Sequence, residues 1–134
     1  MNAVQDTREM IASMSPVLLP GQYVYVVVDP AEGGDWRPLA AVHEPEGLSL
    51  VVPREEADLR GRDYDFVAAW ITLRVHSALD GVGLTAAVAG ALARTGISCN
   101  VIAGYHHDHL LVPAARGSEA VAVLTALADA ARAG

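Results

Sequence analysis

WITLRVHSALDGVGLTAAVAGALARTGISCNVIAGYHHDHLLVP, residues 70–113, decides the fold. Its left end alternates: Ile71, Leu73 and Val75 fall on one face of an extended chain, Trp70, Thr72, Arg74 and His76 on the other. With the residues just before it, this predicts a strand over 66–76. Leu84, Val88, Ala91 and Leu92 then recur at helical spacing, so residues 82–95 read as a helix, with Gly96 where a terminating glycine belongs. Residues 97–103 form the next strand, Gly104 to Asp108 a bend, and His109 to Val112 an antiparallel return that Pro113 ends.

Working outward, Ser118 is expected to cap a last helix whose buried stripe is Ala120, Val123, Leu124, Leu127 and Ala131. From residue 66 the order is strand, helix, strand, strand, helix, a split βαβ pattern short of one strand. That strand must come from the first half or from another subunit. In the first half, Asp6 or Thr7 with Glu9 suggests a capping box for a short helix through Met14, and Ser15-Pro16 and Pro20-Gly21 mark a bend. Residues 22–29 (QYVYVVVD) are a strand in which Val24, Val26 and Val28 share a face. Residues 29–38 are a turn-rich loop, 39–43 and 48–52 two short strands, and 53–58 a short helix with Pro53 at its start. The charged stretch RGRDYD, residues 60–65, is the boundary between two halves, 1–62 and 63–134. The expected class is α+β: two interlocked ferredoxin-like halves with antiparallel sheet and helices on one face.

Composition narrows the function. The chain has 134 residues, about half of them hydrophobic, and a net charge of −7. Its nine basic residues are all arginine and are scattered, so an acidic surface argues against nucleic acid as a partner. A lone cysteine, Cys99, fits a reducing compartment. Neither a signal-peptide pattern nor an apolar run of membrane-spanning length occurs, so a cytoplasmic location without membrane contact is expected.

The candidate site is the turn SALDGVG, residues 77–83. Amides of Gly81, Val82 and Gly83 at a helix N-terminus would hold a carboxylate, while Ser77, Asp80 and Asn100 supply polar partners. The plainer reading of the same residues is a tight strand-to-helix turn capped by Asp80. His107 and Asp108 in the hairpin are further ligand contacts. A metal at His106–His109 is disfavoured, because neighbours on a strand point to opposite faces and nothing places His43 or His76 beside them. No cofactor is expected. Catalysis is not indicated either: there is no G-x-S-x-G elbow, no lysine for a phosphate-binding loop, and Cys99 falls on the helix-facing side as a core residue. Trp70 and Tyr105 read as pocket lining or, more simply, as filler between sheets.

The segments PGQYVYVVV (20–28), EGLSLVVP (46–53), residues 70–92, residues 96–113 and the closing helix resemble ACT-domain proteins. The resemblance is to a small stand-alone bacterial group of tandem ACT-like proteins. Gly83 matches the glycine between first strand and first helix of the family, and HDHLLVP resembles the second hairpin strand of aspartokinase-type regulators. The resemblance implies a small effector, a free amino acid above all, bound by a regulatory, oligomeric (dimeric) protein. What such a sensor would regulate is left open, and a sheet-mediated interaction module is the alternative.

Overall fold

In a computed structural model of the chain, residues 3–75 and 82–134 are described. Compactness divides it into two units, Met1–Leu19 with Ala69–Gly134 and, between them in sequence, Pro20–Ala68. The fold is the expected α+β type, antiparallel strands combined with helices.

The unit formed by Pro20–Ala68 holds β2 (Tyr23–Val28), a 3-10 turn (Pro30–Asp35), β3 (Ala40–Glu44), β4 (Gly47–Pro53) and α2 (Arg54–Leu59). The strands run antiparallel in the order β3-β4-β2, and β2 also pairs with Val67 and Ala68. As the alternation predicts, Val24, Val26 and Val28 turn inward, joining Leu48, Leu50, Val52, Ala57 and Trp36 in one core. The 29–38 segment is more ordered than its composition suggests. Asp29 Oδ1 accepts from the amide of Ala31 and starts the 3-10 turn, which delivers Trp36 to the core, 5% exposed.

In the other unit are α1 (Ala3–Ser13), β1 (Ser15–Leu18), most of β5 (Val67–Arg74), α3 (Leu84–Arg94), β6 (Asn100–Ala103), β7 (Asp108–Pro113) and α4 (Gly117–Ala133). Strand order is β1-β5-β7-β6. The strand that the 66–134 pattern lacks is β1, paired antiparallel with β5 from Ser15↔Arg74 to Leu18↔Ile71. The sequence reading of 15–21 as a bend missed it: the strand is four residues long and contains Pro16, which an edge strand tolerates and a central one does not. The helical faces Leu84–Val88–Leu92 and Ala120–Leu124–Ala128 pack on Ile71, Leu73, Val75, Leu110 and Val112, with Met10 and Ile11 of α1 against the same core.

Two expected helix caps are corrected. Helix α1 begins at Ala3, which places Asp6 and Thr7 inside it, and Thr7 instead donates to the carbonyl of Val82 at 2.6 Å. Helix α4 begins at Gly117, with Arg116 rather than Ser118 before it and no capping side chain. Arg116 serves the preceding helix instead: its guanidinium donates to the carbonyls of Thr95 and Gly96, both at 3.0 Å, where α3 ends, and pairs with Glu119. Gly117 is required by packing, since a Cβ there would stand 2.9 Å from that of Ala69.

Candidate functional site

Of the residues expected to bind ligand, Ser77, Asp80 and Gly81 lie outside the described residues, as does His76. Val82 and Gly83 are placed. Gly83 precedes α3 with φ +100°, ψ −21°, a left-handed backbone conformation that glycine adopts without a Cβ penalty. The helical ladder starts with the amide of Ala87 donating to the Gly83 carbonyl at 3.0 Å. Gly83 has no side chain to cap this end, and among the described residues no other side chain does so; the first-turn amides have no carbonyl one turn back within the helix. Thr7 braces the turn from one side: its hydroxyl holds the Val82 carbonyl and its methyl lies over Gly83. The Val82 side chain is exposed.

Asn100 opens β6, the outer strand of its unit, paired with Leu111. It is exposed. His107 and Asp108 are half-buried at the start of the return strand. The His107 Nδ1 atom is buried without a hydrogen-bond partner. Among the described residues no three His, Cys, Asp or Glu side chains converge as metal ligands would. Of the two aromatics, Trp70 is 4% exposed and Tyr105 is 81% exposed.

A short polar chain crosses the helix-free face of this sheet. The Trp70 indole N–H donates to Thr72 Oγ1 at 3.1 Å, and Thr72 Oγ1 lies 3.1 Å from His109 Nδ1. The threonine hydroxyl accepts from the indole and keeps its own proton and a second lone pair, so the direction of its bond with Nδ1 follows the imidazole tautomer. Burial holds His109 below its ordinary value near 6.5, with His107 adding to the effect and Asp108 opposing it. The unfolded chain therefore takes up the His109 proton more readily. This residue's contribution to stability is complete above the ordinary histidine range and is lost as pH falls through the lowered value. The urea midpoint is expected to decline from about pH 7.5 to about pH 5, less steeply in His109→Gln; parallel declines would contradict this.

Two hollows remain. One, of about 470 Å³ in the Pro20–Ala68 unit, is lined by Gln22, Tyr23, Arg54, Glu55 and Asp58 among others. Its main polar groups serve each other: Arg54 donates to Gln22 Oε1 and to the Tyr64 hydroxyl, both at 2.8 Å, and Tyr64 donates to Asp58 at 2.7 Å. The other, of about 280 Å³, is lined by Ser13, Ser15, Arg74, Val75 and His107. Arg74 is exposed and has no hydrogen-bond or ion-pair partner among the described residues. Ser13, Ser15 and Arg74 were not singled out in the sequence. The available signal was an arginine on the strand face that also carries Trp70, Thr72 and His76.

Two ACT domain profiles match the sequence, over residues 2–69 and 66–126. A Vibrio cholerae protein of unknown function, described as a possible transport protein, has 40% identity and a TM-score of 0.85, over 95% of this chain and 99% of its own. An Agrobacterium tumefaciens protein has 20% identity and a TM-score of 0.60, over 86% of this chain and 89% of its own. The ligand-free regulatory subunit of aspartate kinase from Thermus thermophilus has 11% identity and a TM-score of 0.61, over 84% and 95%. The last two share the fold. No curated protein matches.

Proposed function

The chain belongs to the ACT domain family, and on that premise we propose that it is a regulatory protein that binds a small effector, a free amino acid, and carries out no catalysis of its own. The halves 1–62 and 63–134 are the two ACT-like parts of this reading. The observation that carries it is the start of α3: first-turn amides behind a left-handed Gly83, with no capping side chain among the described residues. A carboxylate there gains from the helix dipole about 0.3–1 kcal/mol, more where buried. Ser77, Asp80 and Gly81 would complete the turn with Val82, while Asn100, His107 and Asp108 would supply polar contacts from the hairpin. The regulatory subunit of aspartate kinase supports the reading by its fold. The setting is the cytoplasm and the assembly a homodimer, with neither membrane nor nucleic acid as partner. Among the described residues no helix is long and apolar enough to cross a membrane.

Thermal-shift and calorimetric titration against the twenty amino acids tests it. An effector at 100 times its dissociation constant should add about 2.7 kcal/mol of stability; a silent panel would remove the amino-acid reading. One observation favours a second reading, an interaction module: Val27 and Val42 are 55% and 54% exposed, both paired with Ser49 on the outward face of the first sheet. An oligomer in light scattering together with a silent panel selects it.

A further inference from the structure

The smaller hollow in the unit built from Met1–Leu19 and Ala69–Gly134 goes beyond the effector reading. Among the described residues it shares only His107 with that set and is assembled from the α1–β1 junction, the end of β5 and the β6–β7 hairpin. Three features of its lining point the same way. Arg74 brings a guanidinium with no protein partner among the described residues, a group whose planar fork matches the oxygens of carboxylate and phosphate. His107 brings an imidazole whose buried Nδ1 has no partner among the described residues, a desolvation cost that turning the ring toward a bound acceptor would relieve. Among the described residues no aspartate or glutamate lines the hollow, although the chain as a whole carries a charge of −7. Asp108 follows His107 in the chain but is not part of the lining.

The hydroxyls refine the chemistry. Ser15, paired with Arg74 across β1 and β5, has no hydrogen-bond partner for its hydroxyl among the described residues and is available as a donor. The Ser13 hydroxyl already donates to the Met10 carbonyl at 3.0 Å, so it offers lone pairs only and contributes no donor to an anion. The lining thus supplies Arg74, Ser15 and the His107 Nδ1–H tautomer as donors. A volume of about 280 Å³ suits a compact ligand of few heavy atoms and falls at the lower edge of ordinary small-molecule sites.

We infer that this hollow is a binding site for a small oxyanion, a carboxylate or a phosphate, held by the Arg74 guanidinium and by His107 Nδ1–H. The full chain is titrated with sodium acetate and, separately, with inorganic phosphate, by calorimetry and by the His107 ring resonances in NMR, against sodium chloride at matched ionic strength. Saturable binding of at least one probe with a shifted His107 ring is expected, and which probe saturates tells carboxylate from phosphate. In Arg74→Gln the dissociation constant should rise roughly tenfold or more, and in Arg74→Lys by less, because a point charge keeps the attraction but loses the fork. Overturning results are a response that sodium chloride reproduces, an unmoved His107 ring, or equal affinity in Arg74→Gln. If Arg74→Gln does not fold, the wild-type ring shift and Arg74→Lys decide. Binding of acetate or phosphate beside a silent amino-acid panel would sink the effector reading and leave this site standing; an amino-acid response with neither probe bound would do the reverse.

Discussion

Leu110→Ala should lower the unfolding free energy by about 2–5 kcal/mol, read from urea denaturation at constant slope. Leu110 has 0% exposure in the middle of β7, beside Val101 of β6, and belongs to the core that α3 and α4 close over. Truncation removes its transfer free energy and leaves a cavity that two neighbours on fixed strands, Ile71 and Leu73, are poorly placed to fill. Against a typical total of about 5–15 kcal/mol this is a large fraction, so the variant should also unfold at markedly lower temperature. A loss below about 1 kcal/mol would mean that the site collapses freely and that this core is looser than its burial implies.

The elements legible in the sequence are those whose own residues determine them. Val24, Val26 and Val28 alternate against exposed Tyr25 and Val27, and Leu84, Val88 and Leu92 mark a helix, because burial on one face imposes the period. Elements fixed by distant neighbours were not legible. Ser15 to Leu18 is a strand because β5 offers it an edge, and its local signals, serine then proline, read as a break. Thr7 looked like a cap by composition; its hydroxyl goes to Val82, far along the chain, a bond no local pattern announces. Ser118 illustrates the converse. A good capping residue is passed over because a 3-10 turn, Ala114–Arg116, already leads into α4.

The same division holds for the site. Gly83 was readable, since a glycine between a strand and a helix points to a backbone angle that other residues avoid, and its φ of +100° is such an angle. Arg74 was readable only as a polar residue on the strand face that also carries Trp70, Thr72 and His76. Its pairing opposite Ser15 and its place beside His107 depend on β1 joining the sheet, which sequence spacing did not reveal. The family resemblance supplied the fold and the turn. The hollow needed the assembled sheet.

Gly83→Ala is the sharper test of the turn, with an expected loss of about 2–3 kcal/mol from two separable sources. A non-glycine residue at φ +100° sits where an L side chain is disfavoured by about 1–2 kcal/mol. The new Cβ would also stand 2.9 Å from the Thr7 methyl and 3.0 Å from its hydroxyl oxygen. Thr7 cannot swing clear at no cost, because its hydroxyl is committed to the Val82 carbonyl and its β-branched side chain has few rotamers. Thr7→Ser removes the methyl and keeps the hydroxyl, so it should recover the methyl's share of the steric loss but neither the hydroxyl's share nor the backbone part. Urea denaturation of the two single variants and the double variant measures this, as a double loss smaller than the sum of the single losses. Strict additivity would mean that Thr7 does not press on the turn. A Gly83→Ala protein as stable as the wild type would mean that the backbone before α3 is not left-handed, and the uncapped amides behind it would then point elsewhere than the effector reading requires.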